Sequence, residues 1–135
     1  MNYCDLKKLI PKDKFDLTPI PTLMEIGEDE IRPILPDLLS WTADMNWPVA
    51  TEIVKVLVRF PNSVIPLIKG ILKPTETDED WKWFIISGLI PEFPISSQTL
   101  LTEDIERIIN NPTEGEIFSE VPEQARDYIE KLQPQ

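Results

Sequence analysis

The sequence predicts an all-α fold, a short HEAT-like α-solenoid of about three helical hairpins. Three observations predict it. Apolar residues recur at spacings of three and four along every long segment. Prolines, fourteen against four glycines, fall mostly where helices start or stop, so they punctuate helices rather than make a disordered chain. One hairpin pattern returns farther along the chain. No segment alternates apolar and polar residues between turn signals as a strand would.

The 135 residues suit one domain. Lead-in helices are expected over 1–27, and hairpins over 28–60, 63–91 and 96–132. In the lead-in, Leu6–Ile10 reads as a short helix stopped by Pro11, followed by a charged loop. Thr18 can cap a short helix beginning at Pro19, which Gly27 ends. Glu28, Asp29 and Glu30 open the next helix, where acids suit the positive end of the helix dipole. Pro33 and Pro36 interrupt it, so a kinked or divided helix ending near Trp41–Ala43 is expected. Pro48–Phe60 is the clearest helix. Val49, Ile53, Val56, Leu57 and Phe60 form its stripe, and Ala50, Val54 and Val58 widen it. A helix so apolar must be packed on several sides.

Val64–Leu72 and Asp80–Ile90 form the next pair. Trp81, Phe84, Ile85 and Leu89 share a face, and Gly88 invites a close neighbour. The last pair is Ser97–Ile109 and Pro122–Leu132, lined by Leu101, Ile105, Ile108 and Ile109 and by Ala125, Tyr128, Ile129 and Leu132. Asn110–Val121 reads as the loop between them, broken by Pro112 and Gly115.

The repeat is visible residue by residue. Ile34-Leu35-Pro36 followed by Leu38 parallels Val64-Ile65-Pro66 followed by Ile68, and Asn46-Trp47 parallels Asp80-Trp81. In the turn Asp44-Met45-Asn46-Trp47-Pro48, Asn46 can cap the helix that Pro48 pre-organises, with Trp47 across the top of the hairpin.

Three stretches carry a resemblance: Ile10-Pro11-Lys12-Asp13-Lys14 with Asp16, then Asp44-Met45-Asn46-Trp47-Pro48-Val49-Ala50, and Asn111-Pro112-Thr113-Glu114-Gly115-Glu116. Through them the chain, from about Leu9 to Leu132, resembles DUF5071, a bacterial family catalogued only as a domain of unknown function and related to HEAT-like helical repeats. The resemblance implies an all-helical, repeat-like fold and assigns no activity.

Charge is distributed unevenly. Net charge is −11, yet residues 1–75 hold ten acids and nine bases, whereas residues 76–135 hold fourteen acids and four bases. Such a surface repels phosphate backbones, disfavouring nucleic acid, and attracts a basic partner. The single cysteine, Cys4, fits a reducing cytoplasm. No secretory leader is read in Met1–Ile10, and Trp83–Ile90 is too short for the ~20 apolar residues of a membrane span.

Histidine is absent, which removes the commonest general base and metal ligand. Cys4 therefore has no histidine to activate it. Glu76-Thr77-Asp78-Glu79-Asp80 lacks the central glycine and spacing of a calcium loop, and reads as an acidic helix start. Asn110–Glu116 lacks the Gly-Lys-Ser/Thr of a phosphate cradle, and the carboxylates of Glu114 and Glu116 read as a solvated loop. No cofactor or metal is expected, and no enzyme. The expected function is protein–protein interaction with a basic partner, for example as an immunity-type inhibitor of a toxin. Candidate contacts are Asp44, Asn46, Trp47, Glu114, Glu116, Glu120 and Glu123. The alternative is a small molecule or peptide held in an aromatic groove near Trp41, Trp47, Trp81 and Trp83.

Overall fold

The computed structural model describes residues 2–132, and these are helical without a strand. The chain divides into two compact units, Met1–Val64 and Ile65–Gln135.

The first unit opens with α1 (Tyr3–Lys7), capped by the Asn2 side chain, which accepts from Asp5 N at 2.9 Å. The helix starts three residues earlier than expected, because Asn2 supplies a cap that Leu6 lacks upstream. The short helix α2 (Ile20–Leu23) follows. Thr18 does not cap it, since its hydroxyl is given to Asp16 at 2.6 Å. Gly27 is not a helix end either. It stands in extended conformation as the N-cap of α3 (Glu28–Ile31), where Glu28, Asp29 and Glu30 form the first turn as expected. Arg32–Ile34 then tightens into a 3-10 turn, α4 (Leu35–Leu39) resumes, and Ser40–Thr42 closes in another 3-10 turn. The expected divided helix is thus present, with Pro33 and Pro36 each at the start of a piece.

Pro48 occupies the first position of α5 (Pro48–Leu57). Val49, Ala50, Ile53, Val56 and Leu57 are wholly buried, and α5 packs on α2, α4 and the Ser40–Thr42 turn. Arg59, just beyond α5, donates to the carbonyls of Leu23 (2.6 Å) and Ile26 (3.2 Å). A guanidinium there satisfies orphan carbonyls at the negative end of α2.

The helix α6 (Pro61–Ile71) starts three residues before the expected Val64, because Pro61 is well suited to a first helical position. Pro66 lies inside it. In the second unit, α7 (Glu79–Phe84) begins at Asp78, whose carboxylate accepts from Trp81 N at 3.2 Å. Ile85–Leu89 then widens into a π-helical turn, with Ile90 N bonding to Ile85 O. Pro91 explains the widening, since its ring cannot donate to Ser87 and would clash with that carbonyl in an α-turn. A 3-10 turn, Ile90–Glu92, ends the segment.

Past α8 (Ile95–Gln98) and the 3-10 turn Thr99–Leu101 come α9 (Thr102–Asn110), α10 (Glu114–Phe118) and α11 (Val121–Leu132). The helix α10 corrects the expected loop. α11 packs on α9, α7, α10 and the π-turn, burying Ile85, Ile86, Leu89, Leu101, Ile105, Ile108, Val121 and Ala125. No helix among the described residues is long and apolar enough to cross a membrane.

Candidate functional site

In the first unit, two short polar segments fix each other. Asp16 accepts from Lys12 N (2.9 Å), Thr18 N (3.2 Å) and the Thr18 hydroxyl, while Asp13 accepts from Phe15 N at 2.9 Å. The Thr18 hydroxyl and the Lys12 N–H hold the Asp16 carboxyl below its ordinary pKa. The loop so tied offers the Lys14 carbonyl to Val49 N at 3.0 Å. That bond joins it to the Asp44–Ala50 turn.

In that turn Asp44 accepts from Asn46 N at 2.8 Å. Asn46 is exposed and does not cap α5. The cap position belongs to Trp47, in extended conformation with no side-chain cap bond, because Pro48 forces the preceding residue out of helical geometry. Trp47 meets Trp41 edge-on, ring centroids 5.6 Å apart. Both are half-buried.

The second unit contains a buried ionic centre. Glu116 is wholly inaccessible to solvent, as is Lys82. Lys82 Nζ donates to Glu116 Oε2 at 2.7 Å and to the Lys73 carbonyl at 2.9 Å. Arg107 grips the same carboxylate with both terminal nitrogens, Nη1 to Oε1 at 2.5 Å and Nη2 to Oε2 at 2.8 Å, and also donates to Leu72 O at 2.6 Å. Thr113 N donates to Oε1 at 2.9 Å, and Glu116 N to the Thr113 hydroxyl at 3.1 Å, completing a capping box. Burial alone would raise the pKa of this carboxyl, and it is the largest single influence. Arg107, Lys82 and the Thr113 N–H together outweigh it and bring the pKa down to about 2.

Glu116 is therefore no part of a solvated face or a surface contact. The signal that locates it is Thr113-x-x-Glu116, a capping box on either side of Gly115. Lys82 carries no comparable signal, because its partner stands 34 residues away. Ile85 and Leu89 are buried, but Trp81 and Phe84 are half-buried, and Lys82 is the buried residue of α7.

The other expected acids are on the surface. Glu114, Glu120 and Glu123 are exposed. Glu123 pairs with Arg126 at 3.1 Å across an exposed helix surface. Glu114 and Glu120 form no ion pair among the described residues. Trp83, half-buried, meets Phe84 edge-on at 5.3 Å. Trp83 and Phe84, with Asp80, Ser119 and Glu120, line a cavity of about 340 Å³. A second cavity, of about 210 Å³, is lined by Ile86, Pro91, Ile95, Gln98 and Tyr128 among others. At its wall the Tyr128 hydroxyl donates to Gln98 Oε1 at 2.6 Å, and burial raises the phenol pKa to about 12.

The described residues, with this buried ionic centre and these motif turns, define an all-helical domain. The family model for "Domain of unknown function (DUF5071)" matches residues 9–129. The chain belongs to that family. No curated protein matches it.

Proposed function

We propose that the chain is a non-catalytic protein-interaction module of HEAT-like build, acting in the cytoplasm, whose acidic C-terminal half contacts a basic partner. The observation that carries this reading is the unneutralised carboxylate surface of the second unit. Asp80, Glu114 and Glu120 are exposed and unpaired among the described residues, while Lys82 and Arg107 are committed to Glu116. A field of this sign speeds and selects a basic partner. The HEAT-like reading is supported by matched burial in the two repeat segments. Ile34, Leu35 and Leu38 are buried, as are Val64, Ile65 and Ile68, while Pro36 and Pro66 face solvent. An immunity-type inhibitor that blocks a basic toxin is one concrete form.

The test is a low-salt pull-down from the lysate of the source cell, run beside a Glu114→Lys/Glu120→Lys/Glu123→Lys variant. Glu116 is left intact, since its reversal would bury a third cation beside Lys82 and Arg107. A basic protein held by the native chain, released by moderate salt and missed by the variant is the expected result. Equal retention by both chains would remove the acidic face from the interface.

A second reading, small-molecule or peptide binding among the tryptophans, is favoured by the cavity at Trp83 and Phe84. It requires that a ligand shield Trp83 from acrylamide quenching. Undiminished quenching across a fragment series would dismiss it.

A further inference from the structure

Resting on the reading of an acidic docking face, we infer that Phe118 is its apolar anchor, and that the partner presents a basic amphipathic segment, an apolar side chain flanked by Lys or Arg. Phe118 is 90% exposed, the most exposed large apolar side chain among the described residues, and Ile117 beside it is 54% exposed. A single exposed apolar side chain is ordinary, but Ile117 and Phe118 are consecutive, and adjoining apolar side chains with polar residues about them are the kind of surface that marks an interaction site.

The geometry of α10 explains why the ring stands out. Residues in an α-helix advance by about 100° each. Glu116 points inward, pinned by Lys82, Arg107 and the Thr113 N–H. Phe118, two positions on, is thereby turned to the opposite, outer side. Glu114, one turn earlier at i−4, falls on the same outer side. The far end of α10 is fixed by Glu120, held in left-handed conformation at φ 61°. The ring is thus carried on one helical turn anchored at both ends, so little conformational freedom is lost when a partner covers it.

The surroundings select the occupant. The two residues that follow Phe118 in the chain, Ser119 and Glu120, line a cavity with Asp80, Trp83 and Phe84. The Glu79 side chain lies against Gly115 of α10. Aromatic surface with Asp80 and Glu120 at the cavity, Glu79 against Gly115 and Glu114 on the outer side of α10 suits an apolar side chain between cations. The same acids repel an anionic lipid surface, a nucleic acid and a second copy of this chain, whose net charge is −11.

The test selects a displayed library of random peptides on the immobilised native chain alone, and titrates each enriched peptide against the native chain and the Phe118→Ser variant by fluorescence anisotropy. Enriched peptides should combine Lys or Arg with one large apolar residue. Phe118→Ser should weaken them roughly tenfold or more, as loss of a hot-spot aromatic does, with an unchanged circular dichroism spectrum and unfolding midpoint. Glu114→Lys/Glu120→Lys should weaken them at low salt and flatten the salt dependence. Basic peptides that bind the Phe118→Ser variant equally would overturn the anchor and leave the acidic face standing. Absence of any basic enrichment would overturn both. Self-association lost in Phe118→Ser would overturn the inference in favour of a second copy.

Discussion

Lys82 Nζ and Glu116 Oε2 lie 2.7 Å apart, with both side chains fully withdrawn from solvent. Placing two charges there costs several kcal/mol each in lost hydration, which pairing must offset. The offset is available because Arg107 adds a bidentate grip and the Lys73 and Leu72 carbonyls take up further donors. The centre ties the loop after α6 and the helices α7, α9 and α10 to a single carboxylate.

Removing members of this centre should not be equivalent. Glu116→Ala strands two cations at once and is expected to cost roughly 3–5 kcal/mol. Lys82→Met leaves Glu116 paired with Arg107 and chiefly orphans the Lys73 carbonyl, for roughly 1–3 kcal/mol. Urea unfolding of the two variants measures the order. A Glu116→Ala midpoint equal to that of Lys82→Met would show that the carboxylate is not the hub.

Stability should fall at both ends of the pH scale, for different residues. The Glu116 pKa is depressed from 4.5 to about 2. Its contribution is therefore complete above the unfolded value and is lost as pH falls from about 4.5 towards 2. The depression corresponds to on the order of 3 kcal/mol. Tyr128 has the opposite sense, raised from 10.0 to about 12 by burial. Its contribution is complete below 10 and is lost as pH rises towards 12. Unfolding free energies across pH should flatten at the acid end in Glu116→Gln and at the alkaline end in Tyr128→Phe. An acid limb unchanged in Glu116→Gln would assign the acid loss to other carboxylates.

Residues that act through local pattern were legible in the sequence, and residues that act through distant partners were not. The stripe of Val49, Ile53, Val56 and Leu57 repeats at helical spacing and is buried as expected. The prolines of 33–36 divide the helix where the missing N–H and the ring require it. By contrast α10 was hidden because Pro112 and Gly115 look like breakers, although Thr113 and Glu116 hold the capping signal. Lys82 shows no pattern, since a buried lysine is permitted only by Glu116 and a carbonyl from elsewhere in the chain. Phe118 could be placed only once the inward direction of Glu116 was known.

Gly115 illustrates how closely α10 is approached. A Cβ at this position would collide with the Glu79 carboxylate, the far end of a flexible side chain. Gly115→Ala should gain helix propensity of up to about 1 kcal/mol and lose part of it in displacing Glu79. Combined with Glu79→Ala, the gain should appear in full. A double-mutant cycle by urea unfolding reads the difference as a coupling between the two sites. Additive effects would mean that the carboxylate moves aside without cost.

Glu120 brings stability and docking into opposition. Its φ of 61° lies in the left-handed region, which costs an ordinary side chain about 1 kcal/mol and suits Asn or Gly better. Glu120→Asn should therefore raise the urea midpoint, by relief of about that size. If the carboxylate also belongs to the rim around Phe118, the same change should weaken a basic amphipathic peptide at low salt. Glu120→Gln separates the two effects, because it removes the charge and keeps the strain. It should bind as weakly as Glu120→Asn and gain no stability. Were Glu120→Asn to stabilise the fold with binding intact, the strained backbone would serve the α10–α11 turn alone and the rim would have to be drawn from Asp80 and Glu114.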